Sequence, residues 1–242
     1  MNLVILRGMW RNRKIVAMMV SMKLLLVLAM LAISLYAIEA RPIKSKVWFM
    51  YFMKGDGPRP TDASEGEKMQ ADHIKNMQDN AKAGKLFAAG PLQDPTQMRR
   101  GITVVKAETL QGVKDCFLHD PYVQGKIMTI AAVEWDVDLK RFHPAIDPSS
   151  IVEHRLVVIT RGKGMSPESP ADRKAHDQTL RDLVATFHGV GGNAKGDLLY
   201  VSILVSTDTA AIETALRADP LIRRNILQFE ILPLWMSKGV VE

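Results

Sequence analysis

The chain has a single cysteine, Cys116, in 242 residues. That excludes an internal disulfide and any metal centre built on cysteines, so stability has to come from packing, with Cys116 read as a small buried hydrophobe. The six histidines show neither HxH nor HExxH spacing, and no metal or cofactor is expected. The glycines of Phe187 to Gly196 (FHGVGGNAKG) lack the Lys-Ser/Thr that follows in a phosphate loop, and they read as a flexible hairpin tip. Compositional bias is absent too: 47% apolar and 24% charged residues are ordinary, and exclude collagen-like, low-complexity and disordered classes.

What departs from the average is the N-terminus. Residues 1–40 hold five cations (Arg7, Arg11, Arg13, Lys14, Lys23) and one anion (Glu39), and without them the formal charge falls from +6 to +2. The basic character is therefore not a nucleic-acid footprint, and no nucleic-acid partner is expected. Lys23 precedes Leu24 to Ala37, an apolar run broken only by Ser34, and then Ile38-Glu39-Ala40-Arg41. This is a signal-peptide layout, with cleavage expected after Ala40 and a periplasmic or secreted product. The alternative is an uncleaved anchor over Ile15 to Ile38, interrupted only by Lys23 and longer than the about 20 residues that cross a bilayer. Translation from Met22 would leave a more compact signal. In either case the body lies outside the cytoplasm, and membrane contact is confined to residues 1–40.

The remaining 202 residues read as two copies of one pattern, 46–138 and 153–238, with 139–152 as linker. Val47 to Met53 (VWFMYFM) is a buried strand stopped by Lys54-Gly55-Asp56-Gly57-Pro58. Glu67 to Ala83 has helical periodicity, Leu86–Ala89 and Ile102–Lys106 are short strands, Thr109 to Leu118 is helical up to His119-Asp120-Pro121, and Ile127 to Trp135 is a last strand. The order recurs in the second half: a strand over His154–Thr160, a helix over Pro170–Phe187, a strand over Leu198–Val205, a helix over Asp208–Arg217 and a strand over Ile226–Trp235. His73 and His176 are 103 residues apart, Asp120 and Asp219 99, and Trp135 and Trp235 100. Three landmarks in one order at nearly one offset point to duplication. A βαββαβ unit leaves one sheet face bare. The fold expected is thus α+β: two ferredoxin-like halves packed sheet to sheet as an intramolecular pseudo-dimer of the dimeric α+β barrel type.

Each copy places a histidine on the apolar face of its first helix and an aspartate before proline at the end of its second. A carboxylate on one imidazole nitrogen orients the ring and leaves the other free for proton transfer, which makes His73 with Asp120, and His176 with Asp219, the candidate catalytic pairs. The plainer reading is a histidine filling a core gap and an aspartate starting a turn before proline. Arg99 and Arg100 could hold an anionic substrate, or be solvated loop cations. His119, His143 and His188 have no assigned role, and Met69 and Met77 are core stripe.

His73 to Leu92 (HIKNMQDNAKAGKLFAAGPL), then Gly101-Ile102-Thr103-Val104-Val105 and Asp120-Pro121-Tyr122, resembles the YCII-related domain over Val47 to Val137. The resemblance implies a ferredoxin-like fold, dimers, and a cleft with a His–Asp dyad whose places fall to His73 and Asp120. One branch of that family removes halide from chlorinated hydroxyquinols. Copy two resembles it weakly: it keeps His176 and Asp219, but Leu221 replaces Tyr122, Arg224 replaces Gly125 and the glycines of Phe187 to Gly196 replace the Gly-Pro strand, so the resemblance gives less support to an active site there. The expected function is an exported, metal-free His/Asp acid–base enzyme (lyase, isomerase or hydrolase) on a small organic molecule. The alternative is a non-catalytic ligand-binding or structural module of the cell envelope. A cofactor-free oxygenase on the same barrel has no residue to support it.

Overall fold

The structure is a computed structural model and describes residues 45–144 and 146–241. The signal segment or anchor expected over 1–40 lies outside the described residues. Among the described residues, no helix is long and apolar enough to cross a membrane.

In the first half, β1 (Lys46–Lys54), α1 (Ala63–Lys82), β2 (Leu86–Pro91), β3 (Arg99–Ala107), α2 (Leu110–Asp115), α3 (Pro121–Gln124) and β4 (Met128–Glu134) follow one another. The second half runs β5 (Ile151–Arg161), α4 (Pro170–Thr186), β6 (Val190–Asn193), β7 (Leu198–Leu204), α5 (Thr209–Arg217), α6 (Pro220–Arg223) and β8 (Leu227–Ser237). The two sheets, β2-β3-β1-β4 and β6-β7-β5-β8, have the same order and are antiparallel throughout.

The central strands explain the architecture. β1 is apolar at nearly every position because both its faces are buried. Phe49 and Tyr51 point between the sheets, while Trp48, Met50 and Phe52 join Met77, Val113 and Phe117 beneath the helices. The core between the sheets is shared by the two halves, with Phe49, Val104 and Trp135 packed among Leu156, Val201 and Leu234. The Trp135 indole N–H donates across that boundary to the carbonyls of Gly192 and Val201, at 3.1 and 3.2 Å. Cys116 is buried in the first helical layer, and burial pushes its thiol pKa up.

The edges of the sheets meet. Beyond β2, Leu92 bridges to Leu234 of β8 and the Gln93 N–H donates to the Pro233 carbonyl at 2.9 Å. Beyond β4, Trp135 bridges to Ala194, the Asp136 N–H donates to Asn193 O at 2.8 Å and the Lys195 N–H to Glu134 O at 3.0 Å. Each short edge strand of one half thus runs onto the outer strand of the other, closing a barrel.

Several local expectations need correction. The first helix starts at Ala63 rather than Glu67, because the Asp62 side chain caps it by accepting from the N–H groups of Ser64 and Glu65. The residues read as a flexible tip contain β6: Gly191 and Gly192 sit in a paired strand. A Cβ on Gly192 would lie 1.8 Å from the Asp136 carbonyl oxygen, so glycine is there for close approach of the other half, not for mobility. Asp120-Pro121 and Asp219-Pro220 do not simply stop a helix: each aspartate caps a new four-residue helix, α3 and α6, with proline at its first position. The stretch read as linker is partly structured, with a 3₁₀ turn at Leu139–Arg141, Phe142 buried against Trp135, and Ile151 already in β5.

Candidate active site

Asp120 and Asp219 are each 0% exposed at the side chain, and each divides its two oxygens in the same way. In the first half, Asp120 Oδ1 accepts from the backbone N–H of Tyr122 at 3.0 Å and of Val123 at 3.4 Å, while Oδ2 lies 2.6 Å from His73 Nδ1. In the second, Asp219 Oδ1 accepts from Leu221 at 2.8 Å and Ile222 at 3.3 Å, and Oδ2 lies 2.6 Å from His176 Nδ1. A carboxylate can only accept, so Nδ1 carries the proton in both rings, and Nε2 of the neutral imidazole is left with its lone pair. The structure thus brings together both pairs read from the sequence, at equal distance.

The surroundings differ. The His73 side chain, 15% exposed, lies edge-on to Phe52 and Tyr122, with ring centroids 5.4 and 5.0 Å away. The Tyr122 hydroxyl donates to Gln70 Oε1 at 2.9 Å, bracing α3 against α1. His73 lines a largely apolar cavity of about 320 Å³ between α1 and the sheet, with walls from Met77, Gly101 and Ile102. Ile146, Pro148 and Trp235 complete it, so the residues after the first half and the last strand of the second help to build the first half's site.

In the second half, the groove of about 610 Å³ beside α4 is lined by Asp177, Leu180 and Tyr200 but not by His176. Register sets the halves apart: β3 and β7 pair with their central strands through the same irregularity, so Gly101 opposite Phe52 corresponds to Tyr200 opposite Ile159. Tyr200 is buried in the helical layer of the second half, a large ring where the first half has only Gly101. Gly191 makes room for it, since a Cβ there would meet the Tyr200 hydroxyl at 2.2 Å. Leu221 in place of Tyr122 forgoes the brace to the first helix. Arg224, in place of Gly125, reaches over to the first turn of α4 and pairs with Asp172 at 2.7 Å.

The two candidate arginines separate. Arg99 is committed: its guanidinium lies against the buried Asp94, with Nε to Oδ2 at 3.0 Å, and against Glu230 of β8 at 2.6 Å, a strap between the halves. Arg100 lines the His73 cavity. Among the histidines without an assigned role, His188 takes a left-handed φ of 49° after α4, and the His143 N–H donates to the Val240 carbonyl at 3.0 Å. Met77 is buried as expected, whereas Met69 is half-buried. Among the described residues no group of three or more His, Cys, Asp or Glu could hold a metal.

The Asp94 pair sets an acid limit on stability. Arg99 holds the Asp94 carboxyl well below its ordinary 3.8, helped by the Thr96 hydroxyl and by the N–H groups of Thr96 and Arg99. A depressed folded-state value means that this stabilisation is complete above 3.8 and is lost as the pH falls through the folded value. Between about pH 5 and about pH 2 the urea midpoint of the wild type is expected to fall more steeply than that of Asp94→Asn. Parallel curves would show that Asp94 does not govern this limit.

The fold is a barrel of two ferredoxin-like halves, each carrying a His–Asp pair. Residues 49–136 match the YCII-related domain, and the second half repeats the topology of that segment outside the match. Among solved structures, chlorite dismutase from Candidatus Nitrospira defluvii in complex with imidazole is 14% identical, with a TM-score of 0.53 over 81% of this chain and 93% of that one. A heme-binding protein from Thermus thermophilus is 10% identical, with a TM-score of 0.52 over the same shares. At these identities the likeness is one of fold. The comparison with curated proteins finds no match.

Proposed function

We propose that the first half is an acid–base active site for a small organic molecule, with His73 transferring the proton through Nε2 and Asp120 orienting the ring. The observation that carries this reading is the joint one: a histidine held at 2.6 Å by a buried carboxylate and lining an apolar cavity of a size that suits a small ligand. The reaction classes open to such a pair without a metal are elimination, isomerisation and hydrolysis. Histidine-selective ¹⁵N spectra test it: both His73 and His176 should carry the proton on Nδ1 when neutral, and a cavity ligand should move the Nε2 resonance of His73 alone. A ligand that binds the cavity without moving that resonance would favour the non-catalytic envelope module.

The residues present do not suit heme, the ligand of the Thermus thermophilus relative in fold. The cavity beside His73, about 320 Å³, lies at the low end of the roughly 300–1,000 Å³ that drug-sized ligands occupy, and heme is larger than these. The wider groove on the second half, about 610 Å³, carries Asp177 and Arg181 along its wall, where a macrocycle needs apolar faces. No step of the proposed chemistry runs through that group.

Export is part of the same proposal and is supported by residues 1–40 alone. A C-terminally tagged chain is expected outside the cytoplasm with Arg41 at its new N-terminus; mass spectrometry finding residues 1–21 intact in the mature protein would overturn it.

A further inference from the structure

The inference concerns what the cavity selects, and it rests on the acid–base reading for the site's purpose but not for its test. β3 meets β1 with a bulge: Gly101 pairs with Phe52 and Arg99 with Met53, which leaves Arg100 as the extra residue. A bulge bends its strand and re-aims a side chain. Here the consequence is that consecutive arginines part company. Arg99 lies over the Tyr51 ring, 5.7 Å from its centroid, and is bound to Asp94 and Glu230. Arg100 is half-buried at the cavity and makes no side-chain hydrogen bond or ion pair among the described residues.

A guanidinium with five donors, partly withdrawn from water and left without a partner, is costly unless something else satisfies it. The second half supplies the comparison. β7 carries the same bulge against β5, where Tyr200 pairs with Ile159 and Leu198 with Thr160, and its extra residue is Leu199. That half keeps the His–Asp pair but has the buried Tyr200 where the first half has Gly101. The apolar cavity lined by the histidine and the arginine at the bulge both belong to the first half, whereas the dyad occurs in both halves.

We propose that Arg100 is the specificity residue of this site and that its ligand is a small organic anion: a carboxylate, or a group of like geometry, held by the guanidinium, with an apolar body against Phe52, Ile102 and Met128. Arginine suits this role because its fork matches a carboxylate with two parallel hydrogen bonds. The low polarity of the cavity wall strengthens the pairing.

The test uses matched probes on the full chain: benzoate against benzamide, and phenylacetate against phenylacetamide, titrated by NMR. Each carboxylate should bind the wild type at least tenfold more tightly than its amide. Arg100→Leu, the residue of the second half, should erase that preference while leaving amide binding and thermal stability unchanged, and Arg100→Lys should restore part of it. His73→Gln should keep the carboxylate preference. Equal binding of acid and amide to the wild type, binding of neither, or an undiminished preference in Arg100→Leu would each overturn the proposal. Preference retained alongside undiminished turnover in His73→Gln would instead overturn the acid–base reading and leave Arg100 in place.

Discussion

Gly90→Ala and Gly192→Ala should each destabilise the barrel by about 3 kcal/mol or more, among the largest effects of any single methyl group in this chain. A Cβ on Gly90 would sit 1.8 Å from the carbonyl oxygen of Trp235, and one on Gly192 would sit 1.8 Å from that of Asp136. Both obstacles are backbone atoms of the opposite half, so neither is relieved by turning a side chain. The sheets would have to part where β2 runs onto β8 and β6 approaches the end of β4, with loss of hydrogen bonds such as Gln93 to Pro233 and Asp136 to Asn193. Gly66→Ala is the control: it lies in α1 with nothing within 4 Å of the added methyl, and should stabilise by about 0.5–1 kcal/mol through helix propensity. Urea unfolding checks all three. Midpoints for Gly90→Ala and Gly192→Ala at or above the wild-type value would mean that the edges do not meet as described.

How much of this was legible from the residues depends on whether the controlling signal is local. β1 and β5 are apolar runs because both faces are covered, and such runs can be read directly. The His and Asp landmarks were legible because the pattern occurs twice. Barrel closure left only glycines at Gly90 and Gly192, and without the opposing backbone a glycine in a strand looks like a loop tip. The helices begun by Asp120 and Asp219 were hidden because Asp-Pro is at once a stop signal for one helix and a start signal for the next. Hardest to see was the difference between the halves. It rests on Gly101 against Tyr200 and Arg100 against Leu199, which correspond only once strand register and a bulge are known. The sequence-level grounds for doubting the second site, Leu221 and Arg224, lie next to its dyad, whereas the buried ring of Tyr200 comes from a strand.

The two dyads offer the sharpest separation of structure from chemistry. Asp120→Ala and Asp219→Ala should each cost about 2–3 kcal/mol of stability, since each removes a helix cap and strands a histidine that had a buried partner. The costs should match, because the hydrogen-bond sets are the same: two backbone N–H groups on Oδ1 and Nδ1 at 2.6 Å on Oδ2. Glutamine in place of either histidine keeps a donor for the carboxylate and should cost only about 1 kcal/mol. Activity should break this symmetry. On the acid–base proposal, His73→Gln removes the proton-transfer group beside the cavity and is expected to abolish turnover, a loss of at least about a hundredfold. His176→Gln is expected to leave turnover within about twofold, because His176 does not line the groove of its half and a proton acceptor without a bound substrate contributes nothing to rate. Substrate affinity should survive in both variants, so the loss appears in kcat and not in KM. Equal losses of turnover in the two variants would mean that the second half is also a working site. Equal retention would mean that both pairs are helix caps whose histidines only satisfy a buried carboxylate.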